Sequence, residues 1–399
     1  MRIIHTADWH LGQFFYNKSR AAEHQAFFDW LLARIEEHQV DALIVAGDLF
    51  DSGTPPSYAR ELFNRFVVAL QPTGCQLVVL AGNHDSVATL NESRALLACL
   101  NTQVITTPQA DHNLLLLRDR HGEPGALLCA IPYLRPRDIL RSRAGQSGRE
   151  KQLSLLDAIA AHYQRSVDAA RQHPLALPVI ATGHLTTVGV SKSDSVRDIY
   201  IGTLDAFPAS AFPDVDYVAL GHIHRAQRVA SSDHIRYSGS PIPLSFDELG
   251  SEKSVFLLEL DKAGLRAVTP LPIPQFQPMK MLKGSLAQIE EQLAPFAAHQ
   301  EEKKVWLDIE VTTQEFLSDL QRRVEALTAD LPVEVLLLRR SREQRQHSLA
   351  QLKNETLNEL KVEEVFARRL ALADDIEEPQ HARLSALFRA TLASLEESE

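Results

Sequence analysis

Over residues 1–100, apolar runs of strand length alternate with stretches of helical spacing. RIIHTAD (2–8) is a short apolar run that ends in polar residues. EHQAFFDWLLARIEEHQ (23–39) sets Phe27, Phe28, Leu31, Leu32 and Ile35 at the spacing of one helix face. DALIVAGDLF (41–50) reads as a buried strand followed by a loop. SYARELFNRFVVAL (57–70) is again helical, with Leu62, Phe63, Phe66 and Leu70 on one side, and CQLVVLAGNHD (75–85) is a further buried strand and loop. This alternation predicts a parallel or mixed sheet covered by helices.

The middle is richer in strands. ALLCAIPYL, LPVIATGHL, YVALGHIH, HIRYSGSP and SVFLLELD read as short strands, interrupted by a helix near 151–170. Two stacked sheets flanked by helices accommodate that count. Near Pro270 the composition changes, and Pro272, Pro274 and Pro278 suit an extended connector. Beyond it a helix–strand–helix–strand unit is expected, with strands VWLDIEV (305–311) and VEVLLLRR (333–340) and a main helix over 313–328. The chain then turns polar. Two terminal helices carry apolar stripes, Val362, Val365, Phe366 and Leu370 on one and Leu384, Leu387, Phe388 and Leu392 on the other. Such stripes need a covering surface, either a partner or the protein's own domains.

With 399 residues, 45% of them hydrophobic, two or three domains are the better expectation than one. Cys75, Cys99 and Cys129 are too scattered for a disulfide framework and read as buried apolar residues of a reduced compartment. The N-terminus lacks the apolar core of a signal peptide, and no apolar run has the length to span a bilayer. A soluble cytoplasmic protein, with no membrane partner, is expected. The net charge of −11 argues weakly against nucleic acid. Two local basic stretches offset it: Arg135, Arg137, Arg141, Arg143, Arg149 and Lys151, and Arg339, Arg340, Arg342 and Arg345. Each is either solvated surface or a track for a phosphate backbone.

Chemistry enters at the strand ends. Asp8-Trp9-His10, Gly47-Asp48, Gly82-Asn83-His84-Asp85, Gly183-His184 and Gly221-His222-Ile223-His224 each put a ligand just where an apolar strand stops. In open α/β sheets that is where ligands bind. Asp, Asn and His together suit Mn²⁺, Fe²⁺ or Zn²⁺, and there are too many donors for one ion. A carboxylate bridging two ions resolves the count, and such a pair can clamp a phosphoryl transfer. Asp8 and His10, two apart, would share a face of an extended segment, as would His222 and His224 unless a turn intervenes.

The ordered series D-x-H, GD, GNHD, GH, GHxH resembles the calcineurin-like metallophosphoesterase superfamily. HTADWHLG, AGDLFDSGTPPS, LAGNHDS, GHLTTVG, LGHIHRAQ and YSGSPIPLSFDE bring it close to bacterial nuclease subunits that work with an SMC-like ATPase. The resemblance implies an α/β fold: a two-sheet metallophosphoesterase sandwich flanked by helices, plus a small α+β capping domain and C-terminal helices. The corresponding domains are 1–273 for the nuclease, 274–342 for the DNA-binding cap, and 343–399 for a linker and helices docking on the coiled-coil base of the ATPase.

The resemblance also implies roles for single residues. Asp8, His10, Asp48 and His224 would hold one metal, and Asp48, Asn83, His184 and His222 the other, Mn²⁺ being the expected ion. His84 would contact the scissile phosphate and help protonate or stabilise the leaving oxygen. Asp85 would orient His84 or a ligand. A water activated by the cations would attack phosphorus in line, without a covalent nucleophile. Relatives from archaea and eukaryotes usually carry histidine three residues after the bridging aspartate. Here Asp51 stands there, either capping a loop or supporting a ligand.

DNA as substrate rests mainly on the resemblance. Ser191, Lys192, Ser193 and Arg197 add donors after His184, and the small domain suits a mobile cap over the cleft. A homodimer through the N-terminal helices is implied as well. Phe14, Phe15, Tyr16, Tyr58, Phe63 and Phe66 would belong to that surface or to the core. The competing enzyme reading is a phosphoesterase for small molecules or phosphoproteins. A non-catalytic scaffold would have lost ligands that are all present here.

Overall fold

The computed structural model describes residues 1–109, 113–140, 148–196, 206–298, 303–312, 317–341, 383–384 and 387–388. Most of it is two six-stranded sheets stacked face to face. The first runs, in order, Gly264–Pro272, Ser254–Asp261, Arg2–Thr6, Ala42–Ala46, Gln76–Leu80 and Thr102–Ile105. The second runs Gln227–Arg228, Ile235–Tyr237, Tyr217–Gly221, Val179–His184, Pro124–Cys129 and Leu114–Arg118. Ile3 pairs with Ala42 and Leu77 with Leu43 in parallel register, and Tyr217 pairs with Ile180 likewise.

The period of two in the strands assigns each side chain to a layer. Leu43, Val45, Leu77 and Val79 face the helices Ala21–Glu37 and Ser57–Leu70, where Trp9, Phe27, Phe28 and Phe66 pack edge-on and stacked. Ile44, Ala46, Val78 and Leu80 face the other way, onto Ala126, Leu128, Ile180, Tyr217 and Ala219 of the second sheet. Leu127, Cys129, Val218 and Leu220 point outward again, onto Ile159, Tyr163 and Val167 of the helix Gly148–Arg171. Strands apolar on both faces are the result, which is why these segments read as continuous apolar runs rather than alternating ones.

The chain falls into two compact units. One holds 1–282, 292–309 and 327–338; the other holds 283–291, 310–326 and the described residues from 339 onward. A three-stranded sheet, in the order Met279–Gly284, Val305–Val311, Val333–Arg340, follows the proline-rich stretch, with helices Leu286–Leu293 and Leu317–Thr328. In the first unit Trp306 stacks on Phe15 with centroids 5.8 Å apart, and Phe246 and Met279 complete that cluster. Phe15 is therefore core, as are Phe63 and Phe66, whereas Phe14 and Tyr16 are exposed. In the second unit Glu310 pairs with Lys283 at 3.0 Å and with Arg339 at 3.8 Å.

Cys75 and Cys129 are buried as expected, but Cys99 is exposed, because it ends the short helix Arg94–Cys99 on its outer side. Arg141, Arg143, Arg197, Arg342 and Arg345 lie outside the described residues, as do Val362, Val365, Phe366, Leu370 and Leu392 of the expected terminal helices. Of those helices, Leu384 and Leu387 are described and exposed. No described helix is long and apolar enough to cross a membrane.

Candidate metal centre

Five parallel strands end on one side of the sandwich, and the loop after each carries donors. Arg2–Thr6 leads to Asp8 and His10, Ala42–Ala46 to Asp48, and Gln76–Leu80 to Asn83 and His84. From the second sheet, Val179–His184 ends in His184 itself and Tyr217–Gly221 leads to His222 and His224. All are buried except Asn83 and His84, which are half-buried.

Two glycines let the sheets meet here. A Cβ on Gly221 would lie 1.9 Å from the Ala46 carbonyl oxygen, so only glycine allows that approach. Gly47 has φ +96°, and a Cβ on it would lie 2.1 Å from His184 Nδ1. Four ligand candidates also sit in the left-handed region: Asp8 (φ 54°), His10 (46°), Asp48 (49°) and His222 (92°). Such backbone is costly for residues with a Cβ and persists where surrounding bonds hold it. This corrects the expectation of an extended Asp8-x-His10 segment: the strand stops at Thr6, and the loop coils so that both side chains reach inward. A turn likewise replaces the extended option at His222-x-His224.

The side chains converge into three donor groups with ligand atoms within 4.8 Å of one another: Asp8, His10 and His224; His10, Asp48 and His84; Asp48, His184 and His222. Asp48 belongs to two of them, with Oδ2 3.1 Å from His184 Nε2 and 3.6 Å from His10 Nε2. Asn83 Oδ1 joins the third group, 2.9 Å from His184 Nε2 and 3.2 Å from His222 Nδ1. The seven residues expected to hold metal are thus brought together, and His84 stands against them, its ring centroid 4.7 Å from that of His10.

Three of the imidazoles are anchored at Nδ1. His184 Nδ1 donates to the Ala46 carbonyl at 2.9 Å, His10 Nδ1 to Asp51 Oδ1 at 3.0 Å, and His84 Nδ1 to the Asp51 carbonyl at 2.7 Å. A bond of this kind fixes tautomer and ring orientation and directs the other nitrogen to the ligand. Asp51 therefore supports His10 and His84 together. Asp85 accepts N–H bonds from Leu49 (3.1 Å), Phe50 (3.0 Å) and Gly82 (2.8 Å), so its carboxylate ties the loop after Asp48 to the loop before Asn83. Asp8 and Asp48 are also fixed by backbone donors, His222 N at 2.8 Å and His84 N at 2.9 Å.

The electrostatics ask for cations. Burial pushes the Asp8 carboxyl up, a cost that neighbouring histidines only partly offset. Burial alone would lower His184, yet Asp48 and Asp8 lift it to about 9. Among the described residues, His10 Nε2, 3.6 Å from Asp48 Oδ2, is buried without a hydrogen-bond partner. A buried orphan nitrogen costs about 1–3 kcal/mol unless something satisfies it. Buried carboxylates, buried imidazoles and an amide oxygen form a donor set that fits divalent metal ions.

Sequence reasoning missed Glu248 and Lys253, and it placed Ser193 as a donor near the site. Ser193 is buried and bonds Glu248 at 2.8 Å instead, within a network that also reaches His224. Glu248 stands in the polar run SFDE, where nothing local distinguishes a buried glutamate from a solvated one. Arg135 stacks over Tyr133 at 5.5 Å and donates to the Asp85 carbonyl at 3.2 Å, so the first basic stretch begins at the edge of the site.

Residues 1–226 match the calcineurin-like phosphoesterase family, and residues 275–373 match the family described as "Type 5 capsule protein repressor C-terminal domain". The chain is 62% identical over 397 residues to SbcD of the nuclease SbcCD from Escherichia coli (strain K12), covering 99% of this chain and 98% of that one. It is 39% identical to the protein of the same name from Rhodobacter capsulatus, over 71% of each chain. It is 29% identical to that of Bacillus subtilis, over 80% of this chain and 81% of the other. With the five donor loops in family order and the likeness running nearly end to end, the chain belongs to the calcineurin-like phosphoesterases and, within them, to the SbcD nuclease family.

Proposed function

We propose that this chain is a metal-dependent DNA nuclease that hydrolyses phosphodiester bonds with two divalent ions, Mn²⁺ being the expected one. It acts as a 3′–5′ double-strand exonuclease and as an endonuclease on DNA ends, hairpins and aberrant structures in repair, recombination and replication. The observation that carries the reading is the convergence of seven donor side chains, with Asp48 common to two donor groups. The name shared by relatives up to 62% identical supports DNA as the substrate and an SbcC-type SMC-like ATPase as the partner. A homodimer, a nucleoid-associated location in the cytoplasm, and the division into 1–273, 274–342 and 343–399 belong to the same reading.

In it, Asp8, His10, Asp48 and His224 hold one ion, and Asp48, Asn83, His184 and His222 the other. When bound, the ions supply Lewis-acid charge to the phosphoryl oxygens and make water a competent nucleophile at neutral pH. His84, held by the Asp51 carbonyl, turns Nε2 to the substrate and hydrogen-bonds a phosphoryl or leaving oxygen. Asp85 keeps the Asp48 and Asn83 loops in register so that both ions see fixed donors. Arg135, above Tyr133, contributes a cation beside the cleft for the substrate backbone.

The test is Mn²⁺-dependent cleavage of end-labelled duplex DNA by the chain and by His84→Ala. Wild type cuts, and the variant loses about 10²–10⁴-fold while still binding Mn²⁺. If wild type does not cut, the assay is repeated with the ATPase subunit and ATP. Hydrolysis of a phosphodiester model compound with DNA uncut under both conditions selects a small-molecule phosphoesterase instead.

A further inference from the structure

His184 is anchored by a backbone carbonyl and His10 by a single carboxylate, but His224 is held by a buried charged network. Its Nδ1 lies 2.6 Å from Ser195 Oγ and 3.4 Å from Glu248 Oε1, and Ser195 Oγ donates to that same Oε1 at 2.5 Å. The other carboxylate oxygen, Oε2, accepts from Lys253 Nζ at 2.5 Å, from Leu244 N at 3.1 Å and from Ser240 Oγ at 3.3 Å. Lys253 Nζ also donates to the His224 carbonyl at 2.9 Å and to Ser240 Oγ at 2.8 Å, and Ser240 N donates to that carbonyl at 3.1 Å. One ion pair therefore grips His224 at its ring and at its backbone.

Glu248 is fully buried and Lys253 is 8% exposed. A buried lysine–glutamate pair gives, on average, no more stability than apolar packing of the same volume, because desolvation offsets the attraction. What this pair does in place is geometric. The Ser195–Glu248 relay accepts the Nδ1 proton, which reserves Nε2 for the group that Asp8 and His10 also face. Lys253 keeps Glu248 ionised and correctly aimed. The same carboxylate accepts from Ser193, so the 193–195 segment is held to the ligand loop.

We propose that Glu248 and Lys253, acting through Ser195, are positioning residues that hold His224 for one of the two metal ions. The inference rests on the reading of His224 as a metal ligand. It predicts a selective effect: loss at the ion bound by Asp8, His10 and His224, with little change at the ion bound by Asn83, His184 and His222.

The experiment is calorimetric titration of the full chain with Mn²⁺ alone, beside thermal unfolding of the metal-free protein. Three proteins are compared: wild type, Ser195→Ala, and the double variant Glu248→Gln with Lys253→Met. The double variant removes both charges together and leaves no uncompensated ion. Ser195 is only half-buried, so its loss spares the core. The expected result is two ions on wild type and, in both variants, one ion weakened about 10–100-fold with the other unchanged. Unchanged affinity at both ions in either folded variant overturns the proposal. Equal weakening of both ions alongside a lowered unfolding temperature also overturns it, in favour of a purely structural pair. Should wild type itself bind no Mn²⁺, the reading of the metal centre fails first, and the variants are not what refutes it.

Discussion

At His184 burial and charge pull in opposite directions, and charge wins: with Asp48 and Asp8 beside it, the imidazole holds its proton to about pH 9 in the metal-free protein. A metal ion must displace that proton. Below pH 9 the affinity for the ion at His184 should therefore rise about tenfold per pH unit and flatten above it. Mn²⁺ titration at pH 7 in buffers of different ionisation heat should detect about one proton released at this site; affinity that stays flat from pH 6.5 to 8 would contradict it. Asp85 makes a different prediction. Asparagine there keeps the size but turns an amide N–H₂ toward backbone donors that now meet a carboxylate oxygen. Asp85→Asn should cost about 1–3 kcal/mol in urea unfolding. An unchanged midpoint would mean the loops do not depend on that carboxylate. The convergence of the candidate donors was legible from residue type and place, because Asp, Asn and His at strand ends have few other uses in such an ordered series. Asp51 was open to two readings, loop cap or ligand support, and its bonds to His10 and His84 give the second; Glu248 and Lys253 were not legible, because a supporting carboxylate or lysine differs from a solvated one only in what it touches.

Among the elements, the strands and helices followed their periodicity closely. VWLDIEV and VEVLLLRR form the strands expected, and the helix near 151–170 runs Gly148–Arg171. The loops did not follow from pattern, since the coiling at Asp8, His10, Asp48 and His222 is held largely by bonds made between loops, such as Asp8 N to the Gly47 carbonyl and His10 N to the Asp48 carbonyl. The seam between the sheets shows how tightly element packing controls the site. At Gly221 any side chain would drive its Cβ into the Ala46 carbonyl, the group that also anchors His184. Gly221→Ala should lower stability by about 1–3 kcal/mol or more. It should also weaken Mn²⁺ binding, although no ligand is changed. Calorimetric unfolding and Mn²⁺ titration of the same sample check both, and a variant that matches wild type would show that the seam opens freely.

For the molecule as a whole, the proposed assembly places the ATPase contact in the chain after the small domain. A chain cut after residue 345 should keep wild-type Mn²⁺ binding and lose capture of the SbcC-type ATPase in a pull-down; retained capture would move the docking surface elsewhere. The stacked sheets, their helical cover and the position of the site at one end of the parallel strands were legible in advance. Apolar periodicity is a local property, and a parallel strand that stops in a polar donor points to a cleft wherever its neighbours lie. The amino-acid order by itself determined which segments become strands and which side chains could hold a metal. Only the tertiary structure decided that loops from two different sheets meet at Asp48, that the ligand loops adopt left-handed backbone, and that a buried Glu248–Lys253 pair grips His224. Those features arise from contacts between residues far apart in the chain, and no local pattern records them.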